Sequence, residues 1–169
     1  ATKEKSLQKF FPQIATQWNY AKNGTLSPDL VAYSSHKKVW WICEKKHEWQ
    51  ATVTHRTTGS NCPYCSHQKY LKGFNDLLTL YPDLSQEWNL EKNIVKPEDV
   101  LGGGQRKYWW KCKHGHEWET SIRKRIDGRN CPICSGKKVV SGVNDFATAY
   151  PTLISEWNYD KNDIFPKNV

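Results

Sequence analysis

Phe74, Leu77, Leu78 and Tyr81 follow the i, i+3, i+4, i+7 spacing of an amphipathic helix, which Pro82 then limits. A second short helical turn is expected over residues 84–88. Residues 107–112 (Lys-Tyr-Trp-Trp-Lys-Cys) are rich in strand-favouring aromatics, and residues 117–122 alternate polar and apolar. The two read as strands of a hairpin that turns through residues 112–116. Gly128 and Asn130 mark a loop into Cys131-Pro132-Ile133-Cys134. If the second strand runs through residues 119–125, alternation places Arg123 and Arg125 on one face and Lys124 on the other.

This pattern occurs twice. A shift of 69 positions carries Cys43, Cys62 and Cys65 onto Cys112, Cys131 and Cys134, and it carries Trp40-Trp41 onto Trp109-Trp110. The same shift takes His47-Glu48-Trp49 to His116-Glu117-Trp118, Arg56 to Arg125 and Gly59 to Gly128. A lead-in precedes each copy: Pro12, Trp18-Asn19 and Lys22-Asn23 match Pro82, Trp88-Asn89 and Lys92-Asn93. It returns as Pro151, Trp157-Asn158 and Lys161-Asn162, with no third Trp-Trp pair or cysteine before Val169. Such self-similarity marks a duplicated unit. The expected divisions are residues 1–69, 70–138 and a third lead-in at 139–169. The bare third lead-in leads to the expectation of a longer parent protein that carries further repeats or a catalytic domain.

Composition sharpens the picture. The 169 residues carry 25 Lys and Arg against 17 Asp and Glu, a net charge of +8, and they include nine tryptophans and no methionine. That aromatic content excludes disorder as a description of the whole, and the charge points to an anionic partner. No run of about 18 apolar residues is present, and residues 1–6 have no apolar signal-peptide core behind them. The expectation is therefore a cytoplasmic, reducing setting with no membrane partner.

Three cysteines per unit cannot pair within the unit, whereas three thiolates and one histidine complete a tetrahedral zinc shell. Cys43, His47, Cys62 and Cys65 recur at identical spacing as Cys112, His116, Cys131 and Cys134. Only His47 and His116 occupy equivalent positions. His114, at Cys-x-His, reads as an exposed turn residue. Iron in a rubredoxin-like site normally takes four thiolates, so the expected cofactors are two structural Zn²⁺ ions. Trp49 and Trp118 are expected to shield the metal, and Trp18, Trp88 and Trp157 to lie in the core. Within each Trp-Trp pair the two rings point to opposite faces, and the sequence does not say which faces outward.

These residues together (a Pro, Glu-Trp-Asn, Lys-Asn, Trp-Trp-x-Cys, Gly-His-Glu-Trp, an Arg and Cys-Pro-x-Cys-Ser) resemble a zinc-ribbon, or treble-clef-type, domain family. Its members stand in tandem in bacterial and phage-related proteins, sometimes beside a very-short-patch-repair-like endonuclease domain. The resemblance implies small α+β zinc-binding repeats, each a helical lead-in plus a zinc-ribbon or treble-clef hairpin, with the eight residues above as ligands. It also implies nucleic-acid binding.

Charge is segregated in a way that fits this. Residues 105–138 hold ten basic and three acidic residues, net +7, while the lead-in at 74–99 holds two basic and six acidic, net −4. The candidate contacts to nucleic acid, DNA in the first instance, are Lys37, Lys38, Arg56, Arg106, Lys107, Arg123, Lys124 and Arg125. Arg56 and Arg125 lead that set because they recur. A protein-interaction or spacer module is the alternative. A histidine-metal nuclease fits less well: the non-ligand histidines do not recur, and Asp76 and Asp145 read as helix caps, so no catalytic residue is assigned.

Overall fold

The computed structural model describes residues 3–169, in two compact units, Ala1–Leu71 and Lys72–Val169. The third lead-in belongs to the second unit. In the first, three single-turn helices, α1 (Leu7–Phe10), α2 (Pro12–Ala15) and α3 (Tyr20–Asn23), lead to strands β1 (Lys38–Ile42) and β2 (Glu48–Thr52) and helix α4 (Val53–Thr57). Side chains start two of the lead-in helices: Ser6 accepts from Lys9 N, and Asn19 accepts from Lys22 N. Pro12 supplies the fixed φ of the first position of α2.

The strands pair antiparallel with Trp41 opposite Trp49. The lead-in docks on β1 almost as a third strand: Asn19 N donates to Trp40 O (3.1 Å), and Ile42 N to Gln17 O (2.8 Å). This places Trp18 edge-on to Trp41, ring centroids 5.5 Å apart. Both indoles are buried and satisfied, Trp18 Nε1 on Leu26 O and Trp41 Nε1 on Ala51 O. Around them lie Leu7, Ala15, Val31, Val39, Trp49, Val53 and Cys62.

The repeated Asn and Lys of the lead-in act at this seam. Asn23 accepts from Trp40 N and donates to Trp40 O, both at 2.8 Å. Asn19 donates to Glu48 (2.7 Å), and Lys22 pairs with Glu48 (2.5 Å) while its ammonium sits 4.3 Å from the Trp40 ring. Lys22, and after it Asn19, hold the Glu48 carboxyl below its ordinary range.

The second unit repeats the plan with α5 (Leu77–Leu80), α6 (Pro82–Ser85), a 3₁₀ turn at Pro97–Asp99, β3 (Lys107–Lys111), β4 (Glu117–Ser121) and α7 (Ile122–Ile126). Trp88 meets Trp110 edge-on at 5.3 Å, and Asn89, Lys92 and Asn93 repeat the seam. Its core comprises Leu77, Trp88, Val100, Trp110, Cys112, Trp118, Ile122, Cys131 and Ile133. Then come α8 (Phe146–Ala149), capped by Asp145, and 3₁₀ turns at Pro151–Glu156 and Pro166–Asn168. Asn144 ties this segment to the turn at residues 131–134 and the chain just after it, by donating to Ile133 O and Lys138 O, both 2.9 Å.

Three expectations change. The helix expected from Phe74 shrinks to one turn, because the Asp76 side chain caps it only at that point, accepting from Thr79 N. The second strand, expected over residues 117–122, ends at Ser121, whose side chain accepts from Lys124 N and starts α7, so residues 123–125 are helical and the strand alternation considered for them does not arise. Trp157 is only half-buried, because no hairpin strand lies against it among the described residues.

Candidate metal centres

Each hairpin turn presents the first two donors. In the first unit the turn closes with Cys43 N donating to His47 O (3.1 Å) and Lys46 N to Cys43 O (2.9 Å). The knuckle that follows α4 presents the other two, held by Ser66 N to Cys62 O (3.0 Å) and His67 N to Tyr64 O (3.1 Å). The second unit closes alike, with Cys112 N to His116 O (3.0 Å) and Ser135 N to Cys131 O (3.1 Å). Four donor atoms converge in each unit within 4.8 Å of one another: those of Cys43, His47, Cys62 and Cys65, and those of Cys112, His116, Cys131 and Cys134. All six cysteines are free thiols.

The spacing fits zinc. A tetrahedral ion with bonds of about 2.3 Å to sulfur and about 2.0 Å to nitrogen sets S···S near about 3.8 Å and N···S near about 3.5 Å. Cys43 and Cys65 sulfurs are 3.9 Å apart, and those of Cys112 and Cys134 are 3.8 Å apart. His47 Nδ1 lies 3.7 Å from Cys62 Sγ and 3.3 Å from Cys65 Sγ. His116 Nδ1 lies 3.7 Å from Cys131 Sγ and 3.2 Å from Cys134 Sγ. His114 is an exposed turn residue, as expected, and also brings Nδ1 to 3.3 Å of Cys134 Sγ. It reaches one thiol where His116 reaches two, so His116 completes the set.

Protonation follows the geometry. Burial disfavours the Cys43 thiolate, but the backbone N–H groups of His47 and Lys45 outweigh it and bring that thiol below its ordinary value. Cys112 is lowered against burial in the same way, by His114 and His116. Burial and then the neighbouring thiols push Cys65 up to about 12 and Cys134 up to about 11. Three crowded thiols ionise together only around a cation, and a bound divalent ion supplies it. With three thiolates and a neutral imidazole such a site carries a net charge of −1 and has no open position.

A cation of the protein stands beside each site. Arg56 is 2% exposed, with its guanidinium 5.3 Å from the Trp41 ring centroid and 5.4 Å from that of Trp49. It donates to Gln17 Oε1 (2.5 Å) and to Ser60 O. Arg125 is 4% exposed, between Trp110 and Trp118 at 5.0 and 5.2 Å, and it donates to Glu87 (2.5 Å), Arg129 O (2.9 Å) and Asn130 Oδ1 (3.3 Å). Burial lowers both arginines. Cys62 works against this at Arg56, as do Glu87, Cys131 and Cys112 at Arg125. The expectation that this recurring pair contacts phosphate is therefore corrected: both guanidinia are internal, tying the lead-in to the loop before the knuckle. Trp49 and Trp118 pack on these guanidinia.

The other six candidate cations, Lys37, Lys38, Arg106, Lys107, Arg123 and Lys124, are exposed. Arg123 is engaged by Asp127 at 3.2 Å. In each Trp-Trp pair the second ring, Trp41 or Trp110, is fully buried, and the first lies half-buried under Lys22 or Lys92. Sequence reasoning missed the partners Gln17 and Glu87, although their recurrence three residues after Ile14 and Leu84 was a usable signal.

Fold and donor set define the class: a small α+β protein with two closed Cys₃His sites, each able to hold a structural zinc ion. One family model, described as "Probable Treble clef zinc finger domain", matches residues 14–68 and again residues 84–137. The two matches span more than half of the chain, which belongs to this family as a tandem pair. No curated protein matches it in sequence. No described helix is long and apolar enough to cross a membrane.

Proposed function

We propose that the chain is a tandem structural-zinc module that binds nucleic acid, DNA in the first instance, and serves as the targeting part of a longer protein. The observation that carries this is the exposure of Lys37, Lys38, Arg106, Lys107 and Lys124, none of which is in an ion pair among the described residues. Lys37 and Lys38 enter β1 as Arg106 and Lys107 enter β3, so both hairpins offer a cationic start to a backbone phosphate. All four donors of each metal site come from the protein. The zinc thus has a structural role, and no residue is assigned to catalysis.

Fluorescence anisotropy of the zinc-loaded chain with random duplex and single-stranded oligonucleotides tests this. The logarithm of the affinity should fall linearly with the logarithm of salt concentration, at about −0.9 per phosphate neutralised on duplex. Affinity that does not change with salt would defeat the reading.

A further inference from the structure

The second unit contains a cavity of about 220 Å³ between β4, α7 and the knuckle loop. Three cations stand on its wall: Lys124 from α7, Arg129 from the loop and Lys137 from beyond Cys134. None of them is in an ion pair among the described residues. Glu119 is the one acidic residue of the lining, so the wall keeps a net charge of +2. We infer that this cavity seats one backbone phosphate of the bound nucleic acid, and that the second unit, not the first, provides this contact.

The wall is built, not merely exposed. Arg129 N donates to Lys124 O (3.0 Å), and the buried Arg125 guanidinium holds Arg129 O (2.9 Å). Asn130, another lining residue, is held by Arg125 as well. Lys138 N donates to Pro132 O (2.9 Å), which fixes the chain beside Lys137 to the zinc knuckle. Two cations on a fixed backbone and a third on a capped helix can converge on a single anion with little ordering left to be done on binding, and Arg129 can meet it through two N–H groups.

The first unit serves as an internal comparison, because a shift of 69 replaces the three cations by His55, Ser60 and Gln68. Both units keep the buried arginine, the seam and the metal donors. What differs at this place is the charge. A requirement of the fold alone would have appeared in both copies, so the three cations of the second copy point to a ligand.

This inference rests on the nucleic-acid reading, and the test separates the two. The variant Lys124→His/Arg129→Ser/Lys137→Gln carries residues that the same frame already holds in the first unit; two bound zinc ions and an unchanged near-ultraviolet circular dichroism spectrum would verify its fold. Its affinity for a short duplex should fall roughly tenfold or more, with the salt slope reduced by about 1. The reciprocal His55→Lys/Ser60→Arg/Gln68→Lys should raise affinity. A variant that binds with the same affinity and slope as a salt-sensitive parent overturns the phosphate seat and leaves the function standing. A parent that binds no oligonucleotide overturns both. Phosphatidylglycerol vesicles or polyglutamate that bind as tightly, with the same loss in the variant, would overturn it in favour of a general anion site.

Discussion

Two backbone positions separate the copies residue by residue. Lys46 and His67 adopt left-handed φ values of 65° and 56°, while their counterparts Gly115 and Gly136 adopt 82° and 69°. One pair closes the hairpin turn and the other follows the knuckle, so the metal site dictates the conformation and the sequence must tolerate it. A side chain in this region costs about 1–2 kcal/mol, and the greater freedom of glycine in the unfolded chain takes back about 0.4–1 kcal/mol. Lys46→Gly and His67→Gly should each stabilise the first unit by about 0.5–1 kcal/mol, seen as a higher denaturation midpoint of the full chain with its zinc bound. A loss of stability would show that the lysine or histidine side chain contributes more than its backbone costs. Recurrence made the ligands legible at this scale, because metal coordination leaves little choice of residue or spacing. It misled for Arg56 and Arg125: a repeated cation reads equally as a phosphate contact or as an internal tie, and only burial between two indoles separates them.

Among the elements, no α-helix in the described residues exceeds five residues, too short to stand without caps and packing. Asp76 shows how one is held. Its carboxylate accepts from Thr79 N (2.8 Å), Thr79 Oγ1 (2.8 Å) and Gly73 N (2.6 Å). Burial opposes its ionisation, but these donors prevail and keep its pKa below the ordinary 3.8. A carboxyl depressed in the folded state contributes stability that is fully present above its unfolded pKa and lost as pH falls through the folded value. Asp76→Ala should therefore cost the second unit about 1–2 kcal/mol at neutral pH, with the gap to the parent narrowing below about pH 4. Urea unfolding followed by tryptophan fluorescence measures this, and a gap that stays constant with pH would exclude the cap as its source. The strands were legible because Tyr108-Trp109-Trp110 and Glu117-Trp118-Glu119 carry both propensity and alternation. The single-turn helices were less so: the 74–81 periodicity is real, yet capping by Asp76 leaves the first three residues outside the helix, and Ser121 turns a strand pattern into α7 through one side-chain bond.

On the scale of the whole molecule, the two cores share no residue, and each contains cysteines of its own metal site. A core in a repeat of about 70 residues rarely supplies more than about 3–5 kcal/mol, whereas structural zinc sites supply about 10–16 kcal/mol at neutral pH. The metal term therefore decides whether a unit folds, and it decides separately for each. Cys131→Ser removes a buried donor from the second site and leaves every donor of the first in place. The zinc content of the full chain should fall from two ions to one. Near-ultraviolet dichroism should lose the part contributed by Trp88, Trp110 and Trp118 while that of Trp18, Trp41 and Trp49 persists. Cys62→Ser should do the converse, and a chelator added to the parent should abolish both. Retention of two zinc ions in Cys131→Ser would show that the remaining donors suffice. Loss of both would show that the units fold as one cooperative body, contrary to their separate cores.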